Sequence, residues 1–444
     1  MATSTSEECQ EPLVTDAALE KLQIAVEQLY HFRDFFFESH SIDEAYRKND
    51  LLKEKMDETL QLFTELKGQA DKSDKARYLF LLGRTLNVMS DVNTEAEECL
   101  SKALKLNPGL VNAWNELGEC FWKRGKTRDA MNCFENALSH ARNRVSLRSL
   151  SITYRDEASR AKTTEERRRL VELGVKVAKE AVAHDFDDGT SWAILANAHL
   201  SEFFNVAQNP LFLKSALAAY AWAEKDPITR STAEFHYNKA ITLKYDEDYK
   251  QALEAFSVAC SLDPTWESAA QKLEDLIIYL GKIHELVEKK GKVGGKKLQG
   301  MLKNLSPDLL GPYKEQFKDL NMTLCPLTEL TPGCVNKGKV VLGRVVCHVR
   351  HDDGVPFLFC MTDKQQNTVA VSVYNLAEGK GVIIGDAVAI PEPYFFQKHV
   401  SHKDKEYSFG SVRVNSPMML VVNGKKLGQD CEAGITLSTF NKPD

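Results

Sequence analysis

The stretch from residue 112 to 137, NAWNELGECFWKRGKTRDAMNCFENA, constrains the fold more than any other part of the chain. Two sets of residues recur at helical spacing on either side of a Gly-Lys turn: Trp114, Leu117, Gly118 and Phe121, then Ala130, Phe134 and Ala137. This order of large and small residues is typical of a tetratricopeptide repeat, a pair of antiparallel helices. One such pair cannot bury its apolar face alone, so we expect further copies on both sides.

Four more helix pairs, one before this stretch and three after it, have the same spacing of large and small residues. The first runs from Leu82 to Pro108, and the later ones occupy 147–181, 192–223 and 240–264. Two long helices precede them from Asp16 to Gly68, and a capping helix is expected from Thr265 to Gly281. The arginine-rich TTEERRR segment is expected to form an inserted loop in the third repeat. The periodicity therefore predicts an all-helical tetratricopeptide-repeat superhelix.

The periodicity changes to that of β-strands from Lys339 onward. The predicted strands are Val340–Val349, Pro356–Cys360, Thr368–Tyr374, Ile383–Ile390, Tyr407–Val414 and Met418–Val422, and turn residues such as Asp352-Asp353-Gly354 separate them. Gly343 inside the long first strand permits a sharp bend, which favours a small closed barrel. We expect an OB-fold, with a β-sandwich as the alternative, and we place Tyr394–His399 in a loop.

These patterns divide the chain into five segments. They are a flexible amino terminus (1–15), the helical solenoid (16–281), a basic linker with short helices (282–335), the OB-fold-like barrel (336–428) and a flexible tail (429–444). The fold class is therefore multidomain, an α-helical repeat superhelix followed by a small β-barrel.

The composition excludes several classes of function. A net charge of −6 argues against a mainly nucleic-acid-binding chain, and no apolar run is long enough to span a membrane. The amino terminus is polar and acidic, unlike a secretory signal. Ten cysteines without C-x-x-C pairs favour a reducing compartment, cytosolic or nuclear. Zinc-ligand spacing, H-E-x-x-H and G-x-S-x-G are all missing, so we expect neither an enzyme nor a metal or cofactor site.

Function is therefore expected in the groove that first helices line in a repeat solenoid. The candidate groove residues are Asn115, Glu119, Trp122, Arg148, Arg155, Asn197, Glu234 and Tyr237. Arg148 and Arg155 offer forked donors for a carboxylate, Glu234 can accept a cation, and the asparagines can bond a peptide backbone. The alternative is that these residues form ordinary solvated helix faces.

A basic segment follows the repeats. Its lysines are Lys289, Lys290, Lys292, Lys296, Lys297 and Lys303. Lysines on a flexible turn can contact phosphates without regard to sequence, so this segment is either a nucleic-acid contact or a solvated linker. The barrel itself offers no clear stacking platform for bases, and Tyr394, Phe395, Phe396, Lys398 and His399 come closest.

The order of these parts resembles the tetratricopeptide repeat protein five family over nearly the whole chain. The matching segments are the basic turn KKGK…KKLQ, then VLGRVV, AVSVYN, GVIIGDAVAIPEP, DKEYSFGSVRV and MLVVNGK. The resemblance implies an adaptor that recognises the Met-Arg-Glu start of nascent α- and β-tubulin at the ribosome. It also implies decay of tubulin mRNA through an mRNA-decay adaptor and a deadenylase, and nuclear work with acetyltransferase cofactor complexes in stress and DNA-damage responses.

The same resemblance assigns roles to particular residues. Arg155 would bind the peptide's glutamate, and Glu234, which precedes Phe235-His236-Tyr237-Asn238, would bind its arginine. A further family acid falls on Ser268, with Glu267 beside it. One ribosome-contacting lysine falls on Lys296, whereas its partner falls on Gly294. Lys289, Lys290, Lys292, Lys296 and Lys297 would together contact ribosomal RNA phosphates near the exit tunnel.

We therefore predict a non-enzymatic adaptor of cytoplasm and nucleus that takes part in tubulin autoregulation. The alternative is a nuclear stress-responsive scaffold for a histone acetyltransferase. A third class, a chaperone adaptor that grips an EEVD-type carboxyl terminus, would need lysines and arginines around an asparagine. The comparable places hold Asn115, Glu119 and Glu234, so this class is disfavoured.

Overall fold

A computed structural model describes residues 13–314, 322–351 and 353–433 of the chain. Its helices are α1 (Leu13–Asp34), α2 (Phe36–Ser39), α3 (Lys48–Ser73), α4 (Lys75–Leu86), α5 (Thr94–Leu106), α6 (Val111–Lys123), α7 (Thr127–His140), α8 (Arg144–Arg160), α9 (Thr164–His184), α10 (Gly189–Asn205), α11 (Pro210–Ala223), α12 (Pro227–Arg230), α13 (Ala233–Tyr245), α14 (Tyr249–Leu262), α15 (Glu267–Glu288) and α16 (Gly295–Lys303). Among the described helices, none combines the length and apolarity that a membrane crossing needs. Most of the predicted flexible ends and Asp352 lie outside the described residues.

The predicted repeats form helix pairs that close on small residues. A Cβ atom at Gly118 would stand 2.5 Å from the Phe134 ring, and one at Gly83 would stand 2.7 Å from Leu100 Cγ. Real Cβ atoms do not approach so closely, so only glycine lets these helices pack at this distance. The spacing of small and large residues in the sequence therefore reflects the contacts between α6 and α7 and between α4 and α5.

The predicted insertion loop in the third repeat is wrong, because TEERRR belongs to α9. The helix starts after Thr163, whose side-chain oxygen accepts a hydrogen bond from the Glu166 backbone N–H at 3.2 Å. An N-cap of this kind satisfies one of the free donors of the first turn. The insertion therefore lengthens a helix, and the arginines extend its first turns.

Contacts divide the chain into two compact units, whose boundaries fall inside α10, α11, α13 and α14. The amino-terminal unit holds the residues up to Ala198 together with Ala218–Phe235 and Ala259–Thr265. The carboxyl-terminal unit holds His199–Leu217, His236–Val258 and the chain from Trp266 onward. The predicted boundary at residue 281 therefore falls inside the second unit, where α15 continues unbroken to Glu288.

The strands of the carboxyl-terminal unit form one sheet. They are β1 (Thr323–Leu324), β2 (Cys334–Val335), β3 (Lys339–His348), β4 (Phe357–Asp363), β5 (Thr368–Val373), β6 (Ala387–Pro391), β7 (Tyr394–His402), β8 (Lys405–Val414), β9 (Val421–Val422) and β10 (Lys425–Lys426). The main path runs β10-β9-β6-β3-β4-β5-β8-β7-β2, with β5 and β8 parallel. Only Glu392 and Pro393 separate β6 from β7, so this nearly continuous strand joins β3 to β8 and closes the barrel.

The barrel confirms the predicted OB-fold, and Gly343 lies where its two sides meet. This residue pairs with Asp363 of β4 on one side and with Val388 of β6 on the other. A Cβ atom at this position would stand 3.0 Å from the Thr362 carbonyl oxygen. The close approach explains why a small residue interrupts the long first strand.

Two strand assignments were wrong. The segment predicted as a loop is β7, whose residues pair with β8 from Tyr394–Arg413 to His402–Lys405. Conversely, residues 383–386 of the predicted strand Ile383–Ile390 form a turn, and β6 starts only at Ala387. The aromatic segment is also not a stacking platform: Phe395 is buried in the barrel, and Lys398 Nζ donates to the Glu247 carbonyl at 2.7 Å.

Helix α15 covers one outer face of the barrel. Its side chains Tyr279 and Ile283 share a buried cluster with Cys360 of β4 and with Tyr407 of β8. His284 Nδ1 lies 2.9 Å from the Ser408 carbonyl oxygen and 3.2 Å from its backbone nitrogen. The face that β4, β5 and β8 turn outward is therefore part of a protein core and not open to nucleic acid.

Candidate peptide-binding groove

Arg155 stands on α8, one turn beyond Ile152 and two turns beyond Arg148. Asn143 starts this helix by accepting the Ser146 backbone N–H at 2.8 Å. The Arg155 side chain is half-buried, and its Nε donates to the Ser151 carbonyl of its own helix at 3.3 Å. Among the described residues, no carboxylate forms an ion pair with Arg155. The forked end of the guanidinium is therefore open for an external acceptor.

The protein around Arg155 makes it an electrostatic outlier. Burial lowers the pKa of its guanidinium to about 10, and only the nearby Tyr220 hydroxyl opposes this shift. The group still carries its charge at neutral pH. A carboxylate that reached its open end would form a charge-assisted bond.

The prediction that Arg148 offers an open fork is wrong. Its Nη1 lies 3.0 and 2.8 Å from the two carboxylate oxygens of Asp188. Asp188 also accepts the Ser191 backbone N–H at 3.2 Å, so it caps the start of α10. Arg148 therefore ties α8 to the next repeat.

Asn115 is likewise engaged inside the protein. Its side chain is 7% exposed and accepts the Ser146 hydroxyl at 2.5 Å, while its Nδ2 donates to Asn143 at 3.3 Å. The predicted role as a free peptide-backbone partner does not hold, because both ends of the amide are satisfied by α8 and its cap. Asn115 positions the start of α8.

A cavity of about 250 Å³ lies between α6, α7 and α8. Its lining includes the predicted groove residues Glu119 and Trp122 together with the apolar side chains Val145 and Ile152. Glu119 pairs with Lys123 at 3.3 Å, and Trp122 packs beside Phe134. Arg155 does not line this cavity: its side chain lies toward α9, where a Cβ atom at Gly174 would stand 3.6 Å from Arg155 Cγ.

Glu234, at the start of α13, is exposed and pairs with no cation among the described residues. It lies within electrostatic range of Lys48. Burial lowers the pKa of the Lys48 ammonium, and the charges of Asp34, Glu234 and Asp263 oppose that shift. The Glu234 carboxylate therefore interacts with Lys48 at a distance but remains free to accept a cationic ligand.

Two residues of this region escaped the sequence analysis. Tyr220 is fully buried on α11, donates to Asn197 Oδ1 and stands near Arg155. The predicted groove positions all lie on the first helices of the repeats, whereas Tyr220 lies on a second helix. Lys48 precedes the repeats, so no repeat position identifies it. Asn197 is half-buried and held by Tyr220.

Tyr237 and Asn238 belong to the carboxyl-terminal unit. The Tyr237 ring packs 4.6 Å from Trp266 and 5.7 Å from Phe256, centroid to centroid. Burial raises the pKa of its hydroxyl. Asn238 is half-buried, and its backbone carbonyl accepts the Thr242 hydroxyl at 3.0 Å. Tyr237 is therefore largely a packing residue. Glu267 and Ser268, where a second acidic contact was sought, are exposed at the start of α15.

The basic segment forms a tight turn followed by α16. Gly291 has a φ of +68°, and a Cβ there would approach Val346 of β3 to 3.0 Å. Lys289 and Lys292 both pair with Glu285, at 2.9 and 3.0 Å. Lys296 and Lys297 are exposed and form no ion pair within the described ranges; Lys290 likewise has none. The free positive charge of this segment is therefore carried by Lys290, Lys296, Lys297 and Lys303.

Residues 321–436 match the family model described as the tetratricopeptide repeat protein 5 OB fold domain. The chain is 45% identical over 428 residues to tetratricopeptide repeat protein 5 of Homo sapiens, covering 95% of this chain and 96% of that protein. The Bos taurus protein of the same name gives the same identity and coverage. Among solved structures, a tetratricopeptide-repeat protein of Thermus thermophilus aligns with 46% of this chain and 99% of its own, at 17% identity and a TM-score of 0.39.

Proposed function

The chain belongs to the tetratricopeptide repeat protein 5 family, and we propose that it binds the Met-Arg-Glu amino terminus of nascent α- and β-tubulin at the ribosome. Family and fold make it a repeat-based adaptor or scaffold. In our proposal the bound peptide marks the ribosome, and the adaptor then recruits an mRNA-decay adaptor and a deadenylase to the tubulin mRNA. The protein would do this in the cytoplasm and would also enter the nucleus.

One observation carries the proposal: Arg155 is half-buried and has no carboxylate partner among the described residues, whereas Arg148 on the same face is paired with Asp188. A carboxylate from a peptide would complete Arg155 as Asp188 completes Arg148. Arginine presents parallel N–H donors that match a carboxylate in two-bond geometry, so a glutamate side chain is a fitting ligand. The tubulin peptide supplies that glutamate as its third residue.

Two further features support a peptide ligand of this kind. Glu234 offers an exposed carboxylate for the arginine that precedes the peptide's glutamate. The 250 Å³ cavity between α6, α7 and α8, lined by Ile152 one turn before Arg155, has room for an apolar side chain. The site would therefore take a short peptide that carries an apolar residue, a cation and an anion, as Met-Arg-Glu does.

The first test measures binding of a fluorescent Met-Arg-Glu peptide by anisotropy. Arg155→Met should weaken binding by about 2–5 kcal/mol, the usual cost of removing one partner of a buried charge pair. The matched control is Arg128→Met, since Arg128 is 85% exposed and pairs only at the surface with Glu157. A Met-Arg-Gln peptide should bind the unchanged protein weakly and lose little more with Arg155→Met. Equal losses for both peptides would remove Arg155 from the site.

A second test distinguishes the tubulin role from the nuclear scaffold. Cells that carry only the Glu234→Ala protein should keep their tubulin mRNA when free tubulin rises, because the nascent arginine is no longer held. The isolated protein should lose affinity for Met-Arg-Glu more than for Met-Ala-Glu. Normal loss of tubulin mRNA in these cells would contradict the proposal and favour the scaffold for an acetyltransferase.

Ribosome attachment through the basic segment is a separate part of the proposal. Substituting Lys290, Lys296 and Lys297 with glutamate should release the protein from ribosomes and leave peptide affinity unchanged. Attachment of the unchanged protein should weaken steeply with salt, because phosphate contacts displace counterions. Replacing Lys289 and Lys292, which already pair with Glu285, should have the smaller effect. Cosedimentation that ignores both salt and charge reversal would exclude this surface.

A further inference from the structure

The turn before β6 exposes two isoleucines side by side. Ile383 is 65% exposed and Ile384 is 54% exposed. Turns favour glycine, asparagine, aspartate, serine and proline, and β-branched residues suit strands instead. Neither the turn nor the barrel core therefore accounts for the two isoleucines at this position.

The isoleucine turn is held in one conformation by its neighbours. Asp386 accepts the Ile383 backbone N–H at 2.8 Å and also accepts Asn423 Nδ2 at 2.7 Å. Gly385 N–H donates to the Val345 carbonyl of β3 at 2.9 Å. The two apolar side chains are thus displayed on a preorganised turn, and a partner that covered them would lose little entropy in ordering it.

Positive charge flanks the isoleucine turn on two sides. Arg344 donates from Nη1 to the Gly385 carbonyl at 2.9 Å and from Nε to the Met301 carbonyl of α16 at 3.0 Å. This bridge places the end of α16, with exposed Lys303, beside the turn. On the other side Asn423 leads within two residues to exposed Lys425.

The acids of this neighbourhood offset only part of that charge, because Asp386 contributes a single negative charge against Arg344, Lys303 and Lys425. In the described part of the chain Lys303 and Lys425 form no ion pair. Asp386 is engaged by Asn423 and by the backbone of the turn. Asp308, which follows α16, is already paired with Lys314. The surface therefore combines a fixed apolar centre with unpaired cations at its rim, as protein-binding sites do.

We propose that the isoleucine turn and the adjoining end of α16 bind an acidic amphipathic segment of a second protein. The isoleucines would bury against its apolar side chains, and Lys303 and Lys425 would face its acids. A second copy of this chain fits poorly, because the same cations would meet across a symmetric contact. Nucleic acid also fits poorly, since phosphates satisfy lysines but bury no isoleucine. This surface is independent of Arg155 and of the proposed tubulin peptide.

The test selects ligands for the full chain from a phage-displayed library of random 16-residue peptides. Enriched peptides should carry leucine, isoleucine or phenylalanine at helical spacing with aspartate or glutamate between them. Anisotropy should then show at least tenfold weaker binding of these peptides to the Ile383→Ser/Ile384→Ser protein. Lys303→Glu should weaken them about threefold or more, consistent with loss of one rim charge.

The matched control is Leu211→Ser, an equally exposed apolar residue (64%) elsewhere in the same unit. It should leave the selected peptides unaffected, and all three variants should keep the thermal midpoint of the unchanged protein. Binders without acidic residues, or binders indifferent to the isoleucine substitutions, would overturn the proposal. So would a labelled single-stranded RNA whose affinity falls with the isoleucine substitutions, because that result would assign the surface to nucleic acid.

Discussion

Two arginines, one in each unit, are at least half-buried, but only one of them lies close to an acid among the described residues. Arg413 in the barrel is 4% exposed, donates from Nη1 to the Tyr245 carbonyl at 2.9 Å, and lies 3.7 Å from Glu247 Oε1. Its guanidinium also stands 4.1 Å from the centroid of the Tyr374 ring. Arg155 in the groove has one hydrogen bond to its own helix and, among the described residues, no anion. Arg413 thus has its counter-charge within the protein, whereas Arg155 can accept one from a ligand.

The electrostatics reflect this difference. Burial acts to lower the pKa of Arg413, but electrostatic interactions with Tyr374, Glu247 and Asp246 outweigh burial, so its pKa is raised. Burial lowers the pKa of Arg155 with little opposition. A buried arginine that keeps its anion stabilises a particular packing, and one that lacks an anion favours binding of an acid.

The largest effect should come from Arg413→Met. Removing the cation leaves the Glu247 carboxylate, 1% exposed, without its partner, which typically costs about 3–5 kcal/mol of unfolding free energy. Arg155→Met is the matched change and should alter the unfolding free energy by less than about 1 kcal/mol, because no buried anion is abandoned. Urea denaturation followed by circular dichroism measures both. Similar losses of unfolding free energy in the two variants would contradict this distinction between Arg413 and Arg155.

Arg148→Met should have the next largest effect on stability. It strands Asp188, whose side chain is 12% exposed, but Ser191 still binds that carboxylate. We expect a loss of about 1–3 kcal/mol and a small change in peptide affinity. The result to look for is a fall in the denaturation midpoint with an unchanged anisotropy titration. A large loss of Met-Arg-Glu affinity in a fully folded Arg148→Met protein would return this residue to the site.

Glu116 provides an acidic counterpart to the two arginines. Burial raises the pKa of its carboxyl to about 7, the charge of Glu119 adds to this, and Asn87 and Arg84 oppose it. The folded state therefore favours the protonated form. Its contribution to stability is complete below the ordinary pKa of about 4.5 and is lost as pH rises toward about 7.

Between pH 5 and 8 the unchanged protein should lose about 1–3 kcal/mol more unfolding free energy than Glu116→Gln, which carries no proton to lose. Urea denaturation at several pH values gives this difference directly. Parallel pH profiles for the two proteins would show that Glu116 ionises normally.

The smallest effect on folding should come from the exposed lysines. Lys296→Glu/Lys297→Glu should change the unfolding free energy by less than about 0.5 kcal/mol, because neither side chain has a partner among the described residues. Release from ribosomes at unchanged stability would assign these lysines to binding. A marked fall in thermal midpoint would instead show that they hold α16 in place.

Much of the fold could be predicted because its determinants are local. Gly118 and Phe134, which contact each other across one helix pair, lie only 16 residues apart in the chain. The repeat spacing in the sequence therefore predicts this contact directly. Gly343 marks the strand that bends between two sheet edges. The strand predictions failed at an exposed turn that contains strand-forming residues and at a strand that follows a proline. Ile383 and Ile384 have the residue type of a strand but lie on an exposed turn. The segment of β7 was predicted as a loop because a proline precedes it.

The sequence by itself determined the helix pairs, the barrel and the stripe on α8 that carries Arg148 and Arg155. Only the tertiary structure decided which of these arginines is available. Asp188 lies 40 residues from Arg148 and meets it through the packing of successive repeats, and no comparable acid reaches Arg155 from the described residues. Helical periodicity encodes the direction in which a side chain points. The charge it meets there depends on how distant segments pack together, and that is a property of the folded chain.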